Sequence, residues 1–138
     1  MPALFTTIDE DAITVLVDRF YEAVRADPEL GPVFNGAIAE DGWPAHLGRM
    51  YAFWSSVMLT SGRYSGNPVT VHRAVQGLTR PLFSRWLALF TATADALFIP
   101  ELAAAFTDKA SRIAASLQMA VFFRPGQRPS THPMTAPV

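Results

Sequence analysis

Cysteine is absent from this chain. Its absence excludes disulfides, thiolate nucleophiles, zinc–thiolate sites and iron–sulfur clusters. Long apolar runs are missing as well: none reaches the roughly 18 residues that a bilayer-spanning helix needs. There is no basic stripe. The 11 Lys and Arg are mixed along the chain with 12 Asp and Glu, for a formal net charge of -1, so neither nucleic acid nor an anionic membrane is an expected partner. The stretch MPALFTTIDED has no positive region followed by an apolar segment. No signal peptide is expected from it, and the expected location is the cytoplasm. Common catalytic signatures are missing too. No Gly-x-Ser-x-Gly nucleophile elbow occurs, and Ser65 is flanked by Tyr64 and Gly66 instead. No Walker-type phosphate loop occurs. Asp9, Glu10 and Asp11 are too local for a carboxylate metal site and suit the first turn of a helix.

What the chain does have is apolar bulk. Half of its 138 residues are hydrophobic, and 10 of them are Phe. This length makes one domain, able to bury roughly two-thirds of the surface that the unfolded form exposes. The aromatic surplus either packs a dense core or lines a ligand cavity, and composition alone does not choose between them.

Nearly every segment reads as helix, and no strand or internal repeat is visible. Asp9 is the expected N-cap of a first helix whose apolar stripe is Ile13, Leu16, Val17, Phe20, Tyr21 and Val24. Asp27-Pro28 ends it, because proline disfavours helix at the residue before it. PELGPVFNG is expected to make one tight helical turn with Leu30, Val33 and Phe34 inward, and residues 37–42 a loop. A second long helix starts at Trp43-Pro44 and runs to about Leu59. On it His46, Met50, Phe53 and Val57 share one face, with Leu47, Tyr51, Trp54 and Met58 on the next. TSGRYSGN is a breaker cluster, after which Pro68 starts a short helix that carries His72. Thr79 caps the next helix, with Leu82, Phe83, Trp86, Leu87, Phe90 and Leu97 as its apolar positions. A last helix from Pro100 to about Phe123 turns Leu102, Phe106, Ile113 and Leu117 inward. Residues 124–138 form a Pro-rich tail that is expected to be disordered and holds the third histidine, His132, without a role.

The run from Trp43 to Ala74 carries the other two histidines, His46 and His72, each beside an apolar helical pattern. A turn rich in Gly, Ser and Asn between them lets the two helices face each other across a gap. Neutral imidazole is the commonest transition-metal ligand. The spacing Gly62, Tyr64, Gly66, Pro68, His72 turns the backbone sharply and then fixes a first helical residue, a way of presenting one side chain into a cleft. A surface histidine on a connecting helix fits that spacing equally. His46 is either a solvent-facing residue near a helix start or a polar group at a pocket mouth, able to swing in or out. Arg49, three residues on, is either solvated or reaches an acidic group at the pocket edge. Tyr21 and Trp86 are polar handles in apolar stripes; each satisfies a nearby carbonyl or points into the same pocket as His46.

The motifs FYEAVRADPELGPVF (residues 20–34), Trp43-x-x-His46, FWSSVML (53–59), GRYSGNPVTVH (62–72), FSRWLALF (83–90) and RIAASLQ (112–118) together resemble the truncated haemoglobins, specifically their third class. The resemblance spans about residues 8 to 122, so residues 1–123 are expected to be the globin domain and the tail lies beyond it. It implies an all-α fold, a two-over-two helical sandwich around haem b. It also implies His72 as the proximal iron ligand, and Tyr21, His46 and Trp86 as the distal tyrosine, histidine and tryptophan, the histidine able to act as a gate. Met50, Phe53, Trp54, Tyr64 and Phe90 fall where the family packs against the porphyrin. Physical chemistry agrees with such a ligand. Porphyrin is an apolar plate with two carboxylates on one edge; it needs an aromatic slot, one axial base and a cation at the rim, for which Arg49 is the candidate. Without a Cys-x-x-Cys-His motif the haem would be held non-covalently.

Three readings follow. The first is a haem protein binding oxygen, nitric oxide or carbon monoxide, in which Tyr21 and Trp86 as hydrogen-bond donors slow the ligand's release. The second is a haem redox enzyme acting on nitric oxide or peroxide. Such an enzyme needs an external reductase, because the chain carries no reductase domain. The third is a cofactor-free helical interaction domain in which both histidines are incidental. Nothing in the sequence argues for more than a monomer.

Overall fold

The computed structural model describes residues 3–64 and 79–122. Among these residues lie five α-helices: α1 (Glu10–Ala26), α2 (Leu30–Ala37), α3 (Trp43–Leu59), α4 (Arg80–Leu97) and α5 (Pro100–Phe122), with a 3-10 turn at Glu40–Gly42 just before α3. The expected short helix around His72, the tail and the domain boundary at Phe123 lie outside the described residues.

Local chemistry sets the helix ends. The Asp9 carboxylate accepts from the Ala12 amide at 2.8 Å, satisfying one of the orphan donors that every helix start leaves. Thr79 does the same for Leu82 at the head of α4. Pro44 and Pro81 sit in the first turns of α3 and α4, where their missing N–H removes no intrahelical bond. α3 ends on Thr60, whose φ of 52° lies in the left-handed region that closes helices.

α2 is longer than the single turn read from the sequence. Ala37 belongs to it, and part of the expected loop after it winds into the 3-10 turn. The cause is Asp27. Its carboxylate accepts from the amides of Glu29 (3.0 Å) and Leu30 (2.8 Å), so α2 starts with its first donors already satisfied in spite of Gly31 and Pro32. Gly31 is needed there for a different reason. A Cβ at this position would stand 2.7 Å from the Arg25 carbonyl oxygen, and only glycine lets α2 lie this close to the end of α1.

α1 is the central element. It packs on α2, α3 and α4, and α4 in turn packs along α5. Its stripe Ile13, Leu16, Val17, Phe20, Tyr21 and Val24 is buried as the helical period predicts. Phe90 and Ala94 of α4, Phe98 of the α4–α5 corner and Phe106 of α5 complete the core. The described amino-terminal segment is tied to that corner: the Phe5 amide donates to the Leu97 carbonyl (2.8 Å) and the Ile99 amide to the Phe5 carbonyl (3.1 Å). This isolated bridge is the nearest approach to β-structure among the described residues. No described helix is long and apolar enough to cross a membrane.

Candidate functional site

Phe20 and Tyr21 are neighbours on α1 and so project about a quarter-turn apart. Phe20 turns toward α4. Its ring meets Trp86 edge-on at 5.4 Å and Phe90 at 5.2 Å. Tyr21 turns toward α2 and α3, where it meets His46 edge-on at 5.0 Å, Trp43 at 5.9 Å and Phe34 at 6.4 Å. One helix thus brings the three residues expected on the distal side into one neighbourhood: His46 in contact with Tyr21, and Trp86 on the far side of the adjoining Phe20.

Burial sets the chemistry of these groups. Tyr21 is 6% exposed, and desolvation pushes its phenol well above the ordinary tyrosine value. It therefore keeps its proton at any physiological pH and acts as a neutral O–H donor. His46 is half-buried, with Nε2 shielded from solvent, which disfavours the solvent-facing alternative. Trp86 is half-buried and stacks on Phe90 at 5.8 Å and 13°. Phe90 stacks in turn on Trp54 at 4.9 Å and 18°, so three roughly parallel rings run from α4 to α3.

The residues expected to pack against a cofactor fall into two groups. Trp54 and Phe90 are already enclosed by protein, at 3% and 1% exposure. Met50 and Phe53 lean on the core but remain partly uncovered, and Tyr64 is half-buried. Phe53 meets Tyr64 edge-on at 5.1 Å. The Tyr64 amide donates to Ser56 Oγ at 2.9 Å, and burial raises its phenol pKa while the nearby Arg49 cation works against that rise. Arg49 itself is exposed, at the edge of this group. His72 lies outside the described residues. Among the described residues no three acids or histidines gather as a protein-ligated metal ion would require.

Two groupings escaped sequence reasoning. Trp43 reads as a helix-start marker, yet it is 3% exposed, edge-on to His46 at 5.5 Å, with the Arg25 guanidinium 4.5 Å over its ring. The Trp43-x-x-His46 spacing, which puts both side chains on one helix face, was the available signal. The other is an ion pair buried at its carboxylate end. Asp27, its side chain 5% exposed, accepts from Arg85 Nε at 2.7 Å and Arg85 Nη2 at 2.7 Å, and Arg85 Nη1 also reaches Glu29 at 2.9 Å. The Arg85 guanidinium, with the Glu29 and Leu30 amides, holds the Asp27 carboxyl far below the usual carboxylate range. Arg85 adjoins Trp86, but its partner is 58 residues away and no local pattern announces it.

The all-helical core, with Tyr21 against His46 and Trp86 across Phe20, agrees with the globin class that comparison with known proteins shows. The bacterial-like globin family matches residues 3–122, and the chain belongs to that family. It is 33% identical over 116 residues to the group 3 truncated hemoglobin ctb of Campylobacter jejuni, an alignment that covers 83% of this chain and 91% of the relative. The crystal structure of the group III truncated hemoglobin from Campylobacter jejuni superposes with a TM-score of 0.82 at 31% identity, covering 91% of this chain and all of the other. The fold is that of a truncated globin, in the class that the sequence motifs imply.

Proposed function

We propose that the chain holds haem b non-covalently and binds a diatomic gas, with Tyr21, His46 and Trp86 forming the polar side of the pocket and His72 as the residue that would hold the iron. The observation that carries this reading is the convergence of Tyr21 and His46 at 5.0 Å, with Trp86 beyond the adjoining Phe20. The open apolar wall fits the group. Met50, Phe53, Val57 and Met58 of α3 and Leu82, Trp86 and Leu87 of α4 pack on the core yet stay half-buried, which suits a flat apolar plate. Arg49 and Tyr64 at the edge supply a cation and a hydroxyl for its carboxylates.

When bound, haem would supply an iron able to take oxygen, nitric oxide or carbon monoxide. The chain does the rest. Tyr21 holds its proton at Oη and offers it to a polar ligand in a water-poor site, where a hydrogen bond counts for more. The Trp86 indole N–H is a second donor that cannot ionise in the physiological range. His46 stands beside Tyr21 and controls the space in front of it. Removing the Tyr21 hydroxyl should forfeit about 0.5–1.5 kcal/mol, a roughly 2- to 13-fold faster loss of ligand. Stopped-flow oxygen release from Tyr21→Phe tests this: faster release supports the donor role, and an unchanged or slower rate refutes it.

A further inference from the structure

Trp43 and Arg25 have no part in the ligand pocket as described, yet they are built against it. Trp43 is the first residue of α3, a place where a large aromatic is normally open to water, but here it is 3% exposed. Three rings or cations enclose it: His46 at 5.5 Å and 87°, Tyr21 at 5.9 Å, and the Arg25 guanidinium at 4.5 Å. The order follows from helical spacing. Arg25 lies four residues after Tyr21 on α1, and His46 three after Trp43 on α3, so each helix places its pair on one face. The four side chains form two pairs, Tyr21 with His46 and Trp43 with Arg25, and of the four Arg25 reaches furthest to the surface among these contacts.

The Arg25 guanidinium is itself held by surface partners. Arg25 Nη2 donates to Glu40 Oε2 at 3.1 Å, and Arg25 Nε donates to Asn35 Oδ1 at 3.4 Å. Asn35 Nδ2 returns a bond to the Arg25 carbonyl at 3.4 Å. Glu40 belongs to the 3-10 turn and Asn35 to α2, so the guanidinium is gripped by the two segments that lead into α3.

We propose that Arg25 and Trp43 act as positioning residues for His46: the guanidinium clamps the indole, the indole backs the imidazole, and the pair sets how readily His46 clears the way to Tyr21. This rests on the reading of Tyr21 and His46 as the ligand side of a haem pocket. A surface arginine thereby controls ligand access without touching the ligand. The clamp is a cation–π contact, and its loss should speed carbon monoxide association by roughly 2- to 5-fold, the size of such a contact near the surface.

The test uses the full chain with haem and follows carbon monoxide rebinding after flash photolysis in wild type, Arg25→Gln and Arg25→Lys. The His46 ring proton resonances are recorded by NMR on the same proteins, carbon monoxide-bound and haem-free. The expected result is faster rebinding and displaced His46 resonances in Arg25→Gln, with Arg25→Lys close to wild type because it keeps a cation over the indole. Unchanged rates with unmoved resonances overturn the proposal. So do faster rates with unmoved resonances, because Arg25 then acts other than through His46. A wild-type chain that takes up no haem defeats the underlying reading separately; the haem-free resonances still decide whether Arg25 sets the His46 ring.

Discussion

α1 is joined to its two large neighbours in opposite ways. Against α4 the seam is apolar: Phe20 meets the stacked Trp86 and Phe90 rings edge-on, and the Asp27–Arg85 pair, buried at its carboxylate, closes the end. Against α3 much of the seam is polar. Tyr51 donates to Asp18, Ser55 Oγ donates to Glu10 at 2.6 Å, and Arg63 reaches the same Glu10 at 2.6 Å from the segment after α3. Only at its start does α3 meet α1 through rings, at Tyr21, Trp43 and His46. The difference separates two jobs. Close packing fixes Phe20, and with it Tyr21, relative to Trp86, the two donors of the proposed pocket. His46 sits on the helix held by side-chain bonds that water can replace, where adjustment is cheap.

The largest test of this contrast is Phe20→Ala. Phe20 is 2% exposed and is the ring of α1 that packs on the Trp86–Phe90 stack, so its truncation should remove about 3–5 kcal/mol of stability in denaturant unfolding. A loss below about 1 kcal/mol would mean that the seam is held elsewhere.

Next in size is Asp27→Asn, which leaves Arg85 facing a neutral amide. Because the folded-state pKa of Asp27 is depressed, its contribution is fully present above the ordinary carboxylate value near ~4 and is lost as pH falls through the folded value. The variant should therefore melt several degrees below wild type at neutral pH, and the gap should narrow as both are acidified below about pH 4. A gap independent of pH would assign the effect to packing and not to charge.

The smallest effect belongs to the polar seam. Tyr51 is half-buried, and burial with the Asp18 carboxylate pushes its phenol up to about 12. Tyr51→Phe should lose about 0.5–1.5 kcal/mol, since Asp18 regains water when its donor goes. A loss matching that of Phe20→Ala would erase the distinction between the seams.

Much of the fold was legible because it is written in short-range chemistry. The stripe on α1, the Asp9 and Thr79 caps and the proline-led starts of α3 and α4 need only neighbours within one helical turn. α2 was misjudged because Gly31 and Pro32 look like breakers; the carboxylate of Asp27 and the close approach at Gly31 make them part of a helix. At the site, Tyr21, His46 and Trp86 were nameable from the motifs. Trp43 and Arg85 stand inside the motifs, but no role could be read for them there, because Arg25, Tyr21 and Asp27, which they meet, lie on or beside another helix. Arg25 over Trp43 and Arg85 on Asp27 are contacts that only the tertiary structure reveals.

The account stands on haem held through His72, and an absorption spectrum of the reduced chain with and without carbon monoxide tests that most directly. Wild type should take up haem and shift its Soret band on carbon monoxide binding, while His72→Ala should lose the pigment or its five-coordinate spectrum. A colourless wild type, or a His72→Ala chain with an identical reduced spectrum, would contradict it.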